Sequence, residues 1–585
     1  MGRRVAVVGS GLAGLATAHM LQTGGCEVEL FERADSVGMD AGSLTVDGVR
    51  VDVPFRVMTP DYYPYLHALY GHLGIKFAAA DYSMGFADEQ GEPVWSYVNR
   101  PLGCYVAPIP DDVRRGARLA ITRDWVRLAF ACVTAMRAPA LLRPGGRLSH
   151  MTIGQYLSRE RYDRVFVDRV FVPFIASMLT CSISAATAYP ATTIMHLVAK
   201  VLCGGRVRKA RDGVQEVCAL LTRGLDNNMH LGAQIDRLVL AADNDDDNDN
   251  DNAGGGSTDG RRVMLATADG KERWFDDVVL ATPADTAARL LAGAQQTKRA
   301  ARRAPGAYPP GELLDALRSV PYEDTSVFTH RDAAVMPARR AEWRGVNIRT
   351  APGENRAMAS HWINYVEQTS ASGRVLGSDV FQTVDPLAEL DPAKVISTTT
   401  FHRSLVTIES QAHINTVHRH QGRCGVWLVG TYTAPGVPLL EGCVRTAVDV
   451  VRAIVGDVPF DAPRMLRAGK GGGAPYEVGL APGMARGEIV EAYFECDAAG
   501  TFAFARPPLA VCGAGLGAWL QAWALWLGFT VLLPLAALLS SAGDAVARAA
   551  LGPDFGLRLQ LVALDILIYA AWAAQAAYRW LTAQG

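Results

Sequence analysis

The chain opens on an unbroken apolar run, Val5-Ala6-Val7-Val8, halted at once by Gly9. A run this short, with no polar alternation, predicts a strand buried on both faces of a parallel sheet. Helical spacing follows, with Leu12, Leu15, Ala16 and Met20 on one stripe and Gly24-Gly25 as its stop. A second run, Val28-Glu29-Leu30-Phe31, closes on the acid Glu32. The alternation around Asp47-Gly48 predicts a hairpin turning at that pair. Two later segments repeat the opening pattern. One is Val278-Val279-Leu280-Ala281, a strand stopped by Thr282-Pro283, with a helix predicted over 284–291. The other is Val426-Trp427-Leu428-Val429-Gly430, which leads through Leu440-Glu441-Gly442-Cys443 into a helix ending near Ile454. Residues 111–142 and 151–201 read as helical blocks. The first carries Arg114, Arg115, Arg118, Arg123, Arg127 and Arg137, which fits an amphipathic surface helix or a helix facing a membrane.

Two stretches break this pattern. Residues 243–252 are only aspartate and asparagine and run into glycines, so they cannot bury apolar surface; 242–260 is expected to be a disordered acidic insertion. The basic stretch 298–303 is loop-like. At the other extreme, no charged residue lies between Arg506 and Asp544, and the stretch 559–578 carries only Asp565. Each is long enough to cross the roughly 20 apolar residues of a bilayer helix. Trp519, Trp523, Trp526, Trp572 and Trp580 are placed to serve as interfacial anchors. Residues 508–585 are read as a transmembrane helical hairpin; a buried helix pair or an in-plane anchor is the alternative.

Composition narrows the class. The chain has 585 residues, enough for two or three domains, and 57 basic against 59 acidic residues, so nothing marks nucleic acid as a partner. Its 10 cysteines form no Cys-x-x-Cys pair, which suits free thiols in a reducing compartment. No apolar signal stretch precedes the first strand, so the main domain is expected to face the cytosol.

The chemistry sits in the first turn. Gly9-Ser10-Gly11-Leu12-Ala13-Gly14 is a Gly-x-Gly-x-x-Gly turn between strand and helix, and Glu32 ends the next strand at about the 20-residue distance expected of a ribose ligand. Gly9 permits the tight turn, Gly11 lets the backbone approach a phosphate, and Gly14 lets the helix lie close on the sheet. A helix N-terminus with bare amides favours an anion such as a pyrophosphate.

Four segments together resemble the flavin-containing amine oxidase superfamily, which includes phytoene-desaturase-like enzymes. They are the Gly9/Gly11/Gly14/Glu32 unit; Asp277-Val278-Val279-Leu280-Ala281-Thr282-Pro283; Gly213-Val214-Gln215-Glu216 with His230-Leu231-Gly232-Ala233-Gln234-Ile235; and Gly430 with Glu441-Gly442. Shorter matches, among them Asp47-Gly48-Val49-Arg50-Val51-Asp52 and Thr400-Phe401-His402, resemble an oxidoreductase branch of that superfamily also found fused to plant cyclopropane-fatty-acid synthases. The likeness covers about residues 1–456. It implies an α/β fold with a Rossmann-like FAD-binding domain and a substrate domain; the C-terminal hairpin lies outside the likeness. It implies an FAD site made of Gly9, Ser10, Gly11, Leu12, Ala13, Gly14, Glu32, Arg33, Gly38, Ser43, Ile235, Thr282, Pro283, Gly430, Glu441 and Gly442. There are departures: Met39 and Asp40 stand where the family has glycine and histidine, Pro54 replaces a glycine, and Ala434-Pro435-Gly436-Val437 replaces the loop near the flavin.

The resulting division is 1–53, 205–300 and 421–456 for the FAD-binding domain, 54–204 and 301–420 for the substrate domain, 457–507 for a linker, and 508–585 for the anchor. His402 is a candidate acid/base group and Tyr432 a candidate to shape access to the flavin; the bland reading of His402 is a hydrogen-bonded structural histidine. Glu441 could contact the cofactor or cap its own helix. The expected function is a membrane-anchored FAD-dependent oxidoreductase that oxidises, desaturates or dehydrogenates a lipophilic substrate. A non-redox flavoprotein and an inactive membrane scaffold are the alternatives. No metal is implied.

Overall fold

The computed structural model describes residues 2–39, 42–102, 105–111, 116–137, 146, 148–203, 207–241, 262–296, 308–366, 376–467, 476–480, 489–490 and 493. The acidic stretch 242–260, the basic stretch 298–303, Asp40, most of the linker and all of 508–585 lie outside them. Among the described residues no helix is long and apolar enough to cross a membrane.

The opening run forms β1 (Arg4–Val8), at the centre of a five-stranded parallel sheet. On one side lies β2 (Glu27–Phe31), then the edge strand Met229–His230; on the other lie Asp277–Leu280 and Val426–Leu428. Both faces of β1 are covered, which is why its sequence does not alternate. Val5 and Val7 join an apolar cluster with α1 (Leu12–Thr23), α2 (Pro64–His72) and the Leu440–Val455 helix. Ala6 and Val8 join another, with the antiparallel sheet of Ile235–Ala241, Arg262–Thr267 and Glu272–Phe275 and the helices Ala284–Ala292 and Gly311–Arg318. α1 differs from its expected single apolar stripe: Leu12 to Ala18, Met20 and Leu21 are all buried. Small residues let the Leu440–Val455 helix pack on its far side, so the whole circumference is interior.

The hairpin forms as expected. Leu44–Val46 pairs with Val49–Val51, and Asp47 and Gly48 take φ of 49° and 75°, the left-handed pair that a two-residue turn requires.

The second half of the molecule is an eight-stranded mixed sheet. Its order is Val395–Ser404, Tyr322–His330, Phe381–Val384, Met358–Trp362, Val346–Arg349, Met84–Ala87, Pro93–Leu102 and Tyr105–Pro110. A helical layer that includes Gly116–Arg137, Val172–Leu179 and Ala191–Cys203 packs on it around Trp95, Phe166, Phe171 and Ile194. Arg118, Arg123 and Arg127 of Gly116–Arg137 are held by the protein itself. Arg118 donates to the Pro93 carbonyl, Arg127 donates to the Glu160 carbonyl and stacks over Tyr162, and Asp124 lies between Arg123 and Arg127. These contacts fit the amphipathic surface-helix reading.

Candidate cofactor and substrate site

The parallel sheet runs its carboxyl ends toward one crevice, and the turn after β1 sits there beside Ala281, the residue after the Asp277–Leu280 strand. The three glycines of the turn do different jobs. Gly9 has φ of 104°, and an added Cβ would lie 2.6 Å from the Ala281 carbonyl oxygen. A Cβ on Gly14 would fall 1.9 Å from the Gly9 carbonyl oxygen, so this glycine sets how tightly the helix lies on the turn. Gly11 is the reverse: it is exposed, and a Cβ there would meet nothing within 4 Å. No packing explains a glycine at that position. An open cradle at the start of a helix whose first turn no side chain caps is what a phosphate group needs.

Glu32 is fixed beside the cradle. One carboxylate oxygen accepts from the Ser10 N–H and hydroxyl at 2.8 and 2.6 Å, the other from the Ala34 N–H at 3.0 Å. A carboxylate has about four lone-pair sites, so this network orients Glu32 and leaves capacity for sugar hydroxyls. The Gly38 N–H donates to the Ser10 hydroxyl, which ties the loop after β2 to the turn. Arg33 is exposed. Ser43 accepts from the Val53 N–H across the hairpin. Ile235 is buried in the cluster behind the sheet, and the segment before it folds over Glu32 through Gly232 N–H to Ala34 O and Ala233 N–H to Glu32 O. Pro283 opens the Ala284–Ala292 helix, and Thr282 beside it has a buried hydroxyl with no partner among the described residues.

The N-terminus of the Leu440–Val455 helix meets that of α1. The Ala13 N–H is directed at the sulfur of Cys443, and burial pushes that thiol up to about 12, so it is neutral. Gly430, at φ of 145°, donates its N–H to Thr446, and Gly442 lets Ala434 approach, with only 2.9 Å between Ala434 Cβ and an added Cβ. The replacement loop is built in: Gly436 N–H donates to Gln411 and Arg445 donates to the Pro435 carbonyl.

Two expectations are corrected here, and His402 follows its hydrogen-bonded alternative. Glu441 neither caps its own helix nor points along the turn. Its carboxylate accepts the Tyr65 and Leu66 N–H groups, both at 3.0 Å, and so caps α2, which starts with Pro64 and has no side-chain cap of its own. Tyr432 turns away from the crevice into the apolar cluster behind the sheet, and burial raises its phenol far above the usual value. His402 lies on the outward face of its strand, half-exposed, stacked on Tyr322 with ring centroids 4.4 Å apart and paired with Asp324 at 2.7 Å. In the Val395–Ser404 strand burial alternates, so Phe401 and Arg403 face inward while His402 faces out. That alternation was readable in Thr399-Thr400-Phe401-His402-Arg403, and it is the signal that would have pointed to Arg403 instead of His402.

Tyr63, Tyr82 and Tyr97 are partly accessible, and burial raises all three phenols well above their usual value. Phe55 stacks on Tyr82 at 6.5 Å, and the Tyr82 hydroxyl donates to His361 Nε2 at 3.0 Å. Burial pushes His361 down to about 4, so it is neutral and accepts.

Residues 7–73 match the family model of an NAD(P)-binding Rossmann-like domain. No curated protein matches the sequence. Solved structures do match. A putrescine oxidase double mutant superposes with a TM-score of 0.52 at 16% identity, over 78% of this chain and 99% of that one. The cyclohexylamine oxidase of Brevibacterium oxydans IH-35A gives 0.52 at 12% identity over the same shares. The chain has the amine-oxidase fold. A protein of Exiguobacterium sp. 255-15 assigned as a protoporphyrinogen oxidase is similar as well, with a TM-score of 0.50, 16% identity, and 78% and 99% of the two chains covered. Within the amine-oxidase fold the open cradle at Gly11, the oriented Glu32 and the meeting of two helix N-termini fit the diphosphate and ribose of FAD.

Proposed function

We propose that this protein is an FAD-dependent oxidoreductase of amine-oxidase fold that oxidises or desaturates a lipophilic molecule and is tied to a membrane by its C-terminal apolar segments. The observation that carries the reading is the empty space over Gly11 at an uncapped helix N-terminus, next to a carboxylate already held in place. When bound, FAD supplies the hydride or electron transfer. The chain's own residues do the rest. Bare amides of the first turn of α1 hold phosphate, Glu32 holds a ribose hydroxyl, and the Leu440–Val455 N-terminus faces the same crevice with its positive end. Tyr63, Tyr82, Phe55 and Phe401 present aromatic surface to a substrate and exclude water. The charge-free run between Arg506 and Asp544 supports a substrate that arrives from a bilayer.

Absorbance of the detergent-extracted protein, followed by anaerobic mixing with candidate lipids, tests this. Flavin bands that bleach with a lipid support the proposal. A flavin that no substrate reduces points to a non-redox flavoprotein, and a colourless protein to a scaffold. Truncation before about residue 500 tests the anchor: release into the soluble fraction supports it, and retention contradicts it.

A further inference from the structure

A cavity of about 320 Å³ lies in the helical layer that packs on the eight-stranded sheet, and none of its lining belongs to the cofactor crevice. Phe130, Ala131, Ala135, Leu148, Met151 and Met195 give it apolar walls, and the rings of Tyr156 and Tyr162, 6.2 Å apart, complete them. Arg127, Ala131 and Ala135 recur at every fourth residue, so one face of Gly116–Arg137 forms one wall. The alanines on that face leave the space open. Another wall comes from the Ile153–Arg159 helix, through Tyr156 and Arg159 on one side of it.

The charged residues of the lining touch one another, which confines charge to one end. Arg127 donates to the Glu160 carbonyl, lies over the Tyr162 ring at 4.3 Å and has the buried Asp124 carboxylate at 3.7 Å, so the protein itself meets its charge. Arg159 is different. Its side chain is 49% exposed, and its one ion pair among the described residues is with Glu160 at 3.9 Å, beyond hydrogen-bond reach. Its planar fork therefore has donors to spare at the edge of an apolar cavity, and that fork suits a carboxylate. An apolar cavity of about 150 Å³ holds one benzene, so this one has room for roughly twelve carbons. The two methionines in its walls adapt to a chain of no fixed shape.

We propose that this cavity is an auxiliary binding site for a free medium-chain fatty acid, with its tail between Gly116–Arg137 and Ile153–Arg159 and its carboxylate on Arg159. The site goes beyond the oxidoreductase reading and does not depend on a flavin. The volume takes one short chain and leaves no room for the second chain of a bilayer lipid.

The test is photolabelling of the full-length protein in phosphatidylcholine nanodiscs, where no detergent competes. Laurate and dodecanol, each with a diazirine on the tail, are titrated separately, and labelled peptides are mapped by mass spectrometry. Laurate is expected to label the segments 127–135 and 148–162 saturably, and an excess of plain laurate to suppress that label. Ala131→Phe fills the cavity and should remove the label from both probes. Arg159→Met should raise the half-saturating laurate concentration about tenfold, as loss of a charge-assisted hydrogen bond implies, and leave dodecanol unchanged. Melting curves confirm that each variant is folded; if Ala131→Phe is not, the exposed Arg159→Met decides alone. Label that does not saturate, or that is unaltered in a folded Ala131→Phe, overturns the proposal. So does an Arg159→Met protein that binds laurate as the wild type does. Labelling of the same segments by a diazirine in a phosphatidylglycerol chain, and not by laurate, assigns the cavity to the bilayer and also overturns it.

Discussion

Gly11 and Gly14 share one motif but fail differently when changed. Gly11 is at φ of −65° and faces open space, so a side chain there costs the fold little and enters the volume assigned to phosphate. Gly14 has no such freedom, with the Gly9 carbonyl 1.9 Å from its added Cβ. Gly11→Val is therefore expected to fold with near-normal thermal stability and to lose flavin. Gly14→Val is expected to lose soluble, cooperatively folded protein altogether. Purification with a melting curve and a flavin spectrum distinguishes them; a flavin-replete Gly11→Val contradicts the phosphate role. These glycines were legible because the demand is local: a turn, a helix start and an acid at fixed spacing. Tyr432 and Glu441 were not legible, for the opposite reason, and His402 took its hydrogen-bonded alternative. Tyr432 packs in a cluster that Tyr322, 110 residues away, also borders, His402 pairs with Asp324, 78 residues away, and Glu441 caps α2, some 376 residues away, and no local pattern reveals which way each side chain turns.

Between elements, the decisive contact is that of Glu441 with α2. The two amides it accepts are buried, and replacing the carboxylate strands both, at about 1–3 kcal/mol for each unsatisfied group. Glu441→Ala should lower unfolding stability by about 2–6 kcal/mol on that basis. Denaturant unfolding measures it, and a change below about 0.5 kcal/mol, the range of an ordinary surface substitution, contradicts the capping role. The parallel strands were legible because burial on both faces leaves uninterrupted apolar runs. The eight-stranded sheet was not. Its strands come from 84–110 and from 322–404, and Val395–Ser404 is half-exposed and rich in threonine. Long-range pairing of that kind leaves a weak trace in any one segment.

Taken as one folded unit, the protein carries a pH dependence set by its interior. Burial pushes His330, His361 and His418 each down to about 4. In the unfolded chain they take up protons below about 6.5, so the unfolded state binds more protons between about pH 4 and 6.5, and stability rises with pH there. Asp449 works the other way. Burial lifts it to about 7 against the pull of Arg445 and Arg452, so its contribution is present at low pH and lost as pH rises through about 7. Three groups against one leave a net difference of about two protons near pH 5, and melting temperature should climb from pH 5 and level off a little above about pH 7. Asp449→Asn should steepen that climb; a flat profile in both proteins contradicts the assignment of these buried groups.

Everything proposed for the chemistry depends on a flavin dinucleotide seated over Gly11. The most direct measurement is the visible absorbance spectrum of full-length protein purified in detergent, run beside Gly11→Val prepared identically. Flavin bands in the first and none in the second, at equal folding, are the predicted result. A folded wild-type protein without colour, even after incubation with FAD, would contradict it.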